Sequence, residues 1–251
     1  MNPAAAPIAP VTKLKDLWSN STDYRVQCQG ADEIGTIVRL LDLAQAEALV
    51  DIGCGNGAFA VPAAVANPRC KVWAFDALES ATSQCQAAAS AAGVGADRIT
   101  IAQAWAESIP LPDATADRVL CRAVLHHILD ASAAYREMAR LLKQGGRLLL
   151  QAPCNFWERR WSQFISDLYM MMDDSHRRFY YQPAEVIAAL AEVGLYMRAA
   201  DCWTYTYSDL NEAQVAFIRD AGAQDRLRLR QCSDGRWQAD LYWVRVVATK
   251  G

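Results

Sequence analysis

The 251 residues carry 25 lysines and arginines against 28 acidic residues, with 53% hydrophobic residues. The chain can therefore bury a full core, and it has no overall basic field that would hold DNA or RNA without regard to sequence. Its eight cysteines include no Cys-x-x-Cys pair, which argues against a zinc site and for thiols used as small hydrophobes in a reducing cytoplasm. The opening MNPAAAPIAP lacks the charged start and continuous apolar stretch of a signal peptide, and no apolar run reaches the length of a membrane span.

Residues 1–29 are expected to form a tail and cap segment ahead of one domain over 30–251. From residue 30 onward, helical patterns alternate with short apolar runs, the rhythm of a parallel α/β sheet. ADEIGTIVRLLDLA places Ile34, Ile37, Val38 and Leu41 at helical spacing, and EALVDIG follows as a first buried strand. AFAVPAAVA reads as a short helix, KVWAFDA as a second strand, and LESATSQCQAAASAAG as a helix closed by Gly93. RITIAQA and DRVLCRAV are the third and fourth strands. ASAAYREMARLLK is a helix stopped by Gly145 and Gly146, and GRLLLQAP is the fifth strand.

The rhythm breaks at residues 154–182, where aromatic residues, methionine and arginine crowd together, and this stretch reads as an inserted helical lid. PAEVIAALAEVGL is then a helix opened by proline, YMRAADCWTYTY a strand, SDLNEAQVAFIRDAG a helix with a serine cap, and ADLYWVRVVATK the last strand. The expected architecture is Rossmann-like. It has a seven-stranded, mostly parallel sheet with an antiparallel last strand, helices on both faces and the lid after the fifth strand.

The stretch VDIGCGNGAFA carries the strongest chemical signal. Asp51 ends a strand, and Gly53, Gly55 and Gly57 make a tight turn whose missing side chains let a ligand lie against the backbone. Asp76 ends the second strand, where a carboxylate can accept both hydroxyl protons of a ribose. Glycine turns of this kind also satisfy a relaxed dinucleotide pattern. An aspartate ahead of the loop repels a pyrophosphate and favours a cationic amino group, so a positively charged nucleoside fits better.

VDIGCGNGAFA, VWAFDA, ESIPLPDATADRVLCRAVLHHILD and REMARLLKQGGRLLL, in this order and spacing, resemble the successive motifs of class I S-adenosylmethionine-dependent methyltransferases. The likeness is to the small-molecule group around the ubiquinone and menaquinone C-methyltransferases, and it covers about residues 30–152. It implies S-adenosyl-L-methionine as cofactor, with Asp51, Gly53 and Gly55 around its methionine part, Asp76 on the ribose, Ala77 beside the adenine, and Arg122 lining the methionine and acceptor side. Where the family commonly carries an aspartate in GDAEALP, this chain has Trp105 in AWAESIP. Tryptophan cannot accept the adenine amino hydrogen, so Trp105 is expected to wall the adenine or else to fill the core, with the Ala106 backbone at the ring edge.

Methyl transfer from a sulfonium is an in-line displacement, which needs alignment and exclusion of water, and a base only where the acceptor must lose a proton. His126 and His127 are the candidate bases, alternatively braces of their loop, and four-residue spacing would let Asp130 orient His126 on a shared helix face. No third metal ligand is placed beside them. In the lid, Trp157, Trp161 and Tyr181 are expected to wall an aromatic or apolar small-molecule acceptor, and Arg160 and Arg178 to receive an acidic group on it, or else the aromatic helix packs on the sheet with its arginines solvated outside. The alternatives are an RNA (tRNA) base methyltransferase, against which the acidic balance stands, and a non-catalytic cofactor-binding member of the fold.

Overall fold

In the computed structural model, which describes residues 31–128, 130–158, 160–172 and 182–251, the apolar runs become strands and the stretches between them helices. In chain order these are α1 (Ala31–Leu41), β1 (Ala48–Ile52), α2 (Ala60–Ala66), β2 (Lys71–Asp76), α3 (Glu79–Ala91), β3 (Ile99–Gln103), β4 (Ala116–Arg122) and α4 (Ala131–Leu141). They continue with β5 (Leu142–Cys154), α5 (Arg160–Met172), α6 (Pro183–Glu192), β6 (Leu195–Leu210), α7 (Glu212–Asp220), β7 (Arg230–Gln231) and β8 (Trp237–Lys250). The expectations for residues 1–29 lie outside the described residues.

The strands form one sheet in the order β3-β2-β1-β4-β5-β8-β6. All neighbours along it are parallel except at β8, which runs antiparallel to both β5 and β6. This is the expected seven-stranded arrangement, and the two-residue β7 adds a short eighth strand beside β8. The order reverses between β1 and β4, and the crevice at such a reversal is where open α/β sheets bind ligands.

Both faces of the sheet are covered, which is why β1 is buried along its whole length. On one face Val50, Val119, Leu148 and Leu150 pack with Met138 of α4 and Leu190 of α6. On the other, Leu49, Leu120 and Leu149 pack with Ile37 of α1, Ala63 of α2 and Ala89 of α3. Cys54, Cys70 and Cys85 lie in the second core and Cys121, Cys154 and Cys202 in the first, all buried as small hydrophobes. No helix among the described residues is long and apolar enough to cross a membrane.

Two expected details are corrected. α4 ends at Leu141, ahead of the glycines expected to stop it. Leu142 already pairs with Ala116, and the ladder then slips until Arg118 meets Arg147. Gly145, at φ 74°, turns the chain through this bulge, and Gly146 lies where a Cβ would come within 2.8 Å of the Lys143 carbonyl oxygen. α7 is capped by Asn211, whose side chain accepts from the Gln214 amide and is answered by Gln214 in a capping box. Ser208, the expected cap, still pairs within β6.

β5 leaves the sheet at Cys154, opposite Tyr242, while the β6–β8 ladder runs on to Trp237. This projecting hairpin carries a third core, in which Ile165 and Leu168 of α5 meet Val215 and Ile218 of α7 and Leu241 of β8. α5 lies inside the segment expected as a lid.

One buried carboxylate ties α4 to the segment after β3. Glu137 accepts from the Ile109 amide at 2.6 Å and from two nitrogens of Arg140 at 2.7 Å. Arg140 in turn donates to the carbonyls of Ile109 and Leu111 and to Asp113. Glu137→Ala leaves the buried Ile109 amide without its acceptor and takes the carboxylate from the partly buried Arg140 guanidinium. It is expected to lower stability by about 3 kcal/mol in urea denaturation.

Candidate functional site

Each of the three loop glycines has a positive φ, 73° at Gly53, 54° at Gly55 and 82° at Gly57, yet they serve different ends. A Cβ on Gly53 would overlap Val124, and one on Gly57 would lie 2.7 Å from Cys85 Sγ. These two let the turn sit flush against the end of β4 and against α3. At Gly55 a Cβ would meet none of the described residues within 4 Å, so Gly55 is where the loop faces away from the rest of the described fold. The loop is tied to β2. The Phe75 carbonyl accepts from both the Gly53 and Cys54 amides, at 2.7 and 2.9 Å, and Asp76 Oδ2 accepts from the Gly55 amide at 2.9 Å.

Asp76 Oδ1 accepts from the Leu78 amide at 3.0 Å. Each carboxylate oxygen keeps a second lone-pair position, so the brace leaves Asp76 able to receive hydroxyl protons. Beside it, the half-buried Ala77 uses its carbonyl to accept from Gln103.

Asp51 is buried under the loop, and burial pushes its carboxyl up to about 7, against the pull of the Arg122 guanidinium and with a further push from Asp76. Arg122 ends β4, and the next residue, Ala123, has φ 58°, a left-handed conformation that alanine rarely adopts. Its amide donates to the Gln151 carbonyl at 2.9 Å. Such a turn costs free energy and is held here by the strands on either side.

Trp105 is 67% exposed and bridges Ser108, which excludes the core-filling alternative. It stands just past β3, on the same end of the sheet as Asp76, while the neighbouring Ala106 is buried.

His126 and His127 lie in a 3-10 turn, Leu125–His127, with rings 4.1 Å apart. His126 is buried with its ring edge-on to Trp243 at 6.0 Å, and His127 is exposed. The expected pairing of His126 with Asp130 is corrected. The turn ends at His127, Ile128 is extended, and Asp130 instead caps α4 by accepting from the Ala133 amide at 3.0 Å.

Both histidines and Arg122 line a cavity of about 520 Å³ whose aromatic walls are Tyr205, Tyr207 and Trp243, with Met172 of α5 at one side. Trp157 and Trp161 sit elsewhere, in the third core, with Arg226 over both rings. Arg160 opens α5, and Arg178 and Tyr181 lie outside the described residues. Sequence reasoning missed Tyr205, Tyr207 and Trp243, which read there only as strand residues. Among the described residues no three His, Cys, Asp or Glu side chains are grouped to hold a metal ion.

A family model described as a methyltransferase domain matches residues 50–150. The chain is 31% identical to the uncharacterized methyltransferase YcgJ of Bacillus subtilis over 62% of this chain and 60% of that protein. It is 38% identical to 27-O-demethylrifamycin SV methyltransferase of Amycolatopsis mediterranei, over 44% and 40%. It is 35% identical to the ubiquinone/menaquinone biosynthesis C-methyltransferase UbiE of Syntrophotalea carbinolica, over 45% and 46%. The matches thus span between two fifths and three fifths of these relatives' lengths. The crystal structure of B. subtilis YcgJ shares the fold at a TM-score of 0.76, with 23% identity over 88% of this chain and 99% of that one.

The raised carboxyl of Asp51 has a sign that can be measured. The folded chain keeps a proton there that the unfolded chain releases above its ordinary value of 3.8. Between about pH 4 and pH 7 each unit therefore subtracts up to about 1.4 kcal/mol from stability, and above 7 the loss stops. The stability of the wild type relative to Asp51→Asn, taken from urea midpoints, should fall over that window and then level off. A difference that is flat or rises contradicts the assignment.

Proposed function

We propose that this chain, which carries a class I S-adenosylmethionine-dependent methyltransferase domain, methylates a small-molecule acceptor that is aromatic or apolar. The observation that carries this reading is the aromatic-walled cavity at the tip of β4. Its volume of about 520 Å³ suits a small molecule, and Arg122 and Ala123 at the end of β4 form part of its lining. Two of the relatives, by their names, act on a rifamycin and in quinone biosynthesis, which supports a small-molecule acceptor. Arg122 at the cavity's inner edge gives an acidic group on that acceptor a guanidinium to meet.

The residues fit the cofactor. The open side of Gly55 supports a nucleoside lying against the backbone, the lone pairs left on Asp76 support a bond to its ribose hydroxyls, and Trp105 offers an exposed ring to wall the adenine. The Ala106 backbone follows at the ring edge, and Ala77 flanks the base beside Asp76. Asp51 receives the cationic amino group, which draws its carboxyl into the ionised form. When bound, S-adenosylmethionine supplies an electrophilic methyl on a sulfonium.

This chain's own part is placement. Tyr205, Tyr207 and Trp243 hold the acceptor plane and keep water out. His126, fixed against Trp243, or His127 beside it, accepts a proton where the acceptor atom must lose one.

Methyl label from tritiated S-adenosylmethionine is expected to move into the low-molecular-weight fraction of a cell extract. Sustained incorporation into total tRNA overturns the small-molecule reading. With the labelled product as readout, His126→Ala should slow turnover by roughly 10²-fold or more. Unchanged turnover in both His126→Ala and His127→Ala would leave the pair as braces of the loop.

A further inference from the structure

Gln151 lies inside the apolar run of β5 and is fully buried, and among the described residues neither its amide oxygen nor its amide nitrogen has a hydrogen-bond partner. Buried polar groups are nearly always satisfied, so an amide left open at both ends marks a place where something else is meant to bind. Its position shows what. Side chains alternate along a strand, so Gln151 shares the face of Leu149, the face covered by α1 and α2. By the same parity Asp51 and Arg122 are on that face with Leu49 and Leu120.

Arg122 pairs in register with Gln151, and Gln151 with Arg245. Arg122 is one residue past the Ile52–Cys121 pair, which sets it level with Gly53. Gln151 is therefore two inter-strand steps, about 10 Å, from the start of the glycine loop.

The flanking charges are already answered. Arg245 holds Asp201 through two nitrogens, at 2.8 and 2.6 Å, and the Arg122 guanidinium acts on Asp51. The neutral Gln151 between them offers donors and an acceptor together. Its side chain stands on the same sheet face as Asp51, the residue that leads into the glycine loop.

We propose that Gln151 is a cofactor-binding residue whose amide receives the amino-acid end of S-adenosylmethionine, Nε2 donating to the carboxylate and Oε1 accepting from the ammonium group. This rests on the reading that the methionine part of the cofactor lies over β1 and β4. The amide stays unsatisfied without ligand, so the cost to the fold is recovered only when the amino-acid end is in place.

The test is calorimetry on the full chain with two ligands that share a nucleoside. S-adenosylhomocysteine has the amino-acid end, and methylthioadenosine lacks it. Gln151→Met, similar in length and apolar, should bind S-adenosylhomocysteine about tenfold more weakly, equivalent to about 1.4 kcal/mol, and methylthioadenosine as the wild type does. Its unliganded thermal midpoint should be no lower than that of the wild type, because no hydrogen bond is lost. Gln151→Leu removes the donor and the acceptor together and should show the same selective loss, so either variant carries the comparison if the other fails to fold. An unchanged affinity for S-adenosylhomocysteine, or an equal loss for both ligands, overturns the proposal. Failure of the wild type to bind S-adenosylhomocysteine would instead overturn the cofactor reading beneath it.

Discussion

The site depends on one steric constraint, the contact of Gly53 with Val124 across the gap between β1 and β4. Because no side chain intervenes, the chain can turn out of β1 in direct contact with the residue two past the end of β4, at the reversal in strand order. The turn is then pinned from the other side by β2, whose Phe75 carbonyl and Asp76 carboxylate take three successive amides of the loop. A backbone held this way turns Gly55 away from the rest of the described fold without relying on any side chain of its own.

That geometry sets the electrostatics. With the loop closed above it, Asp51 loses water, and its carboxyl rises despite the nearby guanidinium of Arg122. The strained turn at Ala123 carries Arg122 to the boundary between the loop and the aromatic cavity. Two environments therefore meet at the tip of β4, one polar and buried, one aromatic and roomy. The proposed transfer from a charged cofactor to an apolar acceptor would run across this boundary.

Much of this was legible in the sequence because it is local. The glycines, Asp51 and Asp76 fall within a strand–turn–helix unit and at the end of the next strand, and the parallel order follows from the alternation of helix and strand. What was hidden depends on distant pairings. Tyr205 and Tyr207 line the cavity on the part of the β6–β8 ladder that continues after β5 leaves the sheet at Cys154, and Trp243 joins them from the pair opposite Pro153, a feature no spacing within either strand encodes. Asp130 looked like a partner for His126 only on the assumption of a continuous helix, and the chain straightens at Ile128. The end of α4 was misplaced because the glycines beyond it belong to a bulge set by β4. Gln151 was invisible inside LLLQAP, where its neighbours signal a plain buried strand. Its meaning appears only once Arg122 and Arg245 are seen on either side.

The central claim is that the glycine loop holds the nucleoside while the aromatic cavity holds the acceptor. A crystal structure of the complex with S-adenosylhomocysteine tests it most directly. The ribose hydroxyls should meet Asp76, the adenine should lie against Trp105, and the sulfur should face the cavity beside Arg122. A nucleoside bound away from Gly55, or a sulfur turned from the cavity, would contradict the account.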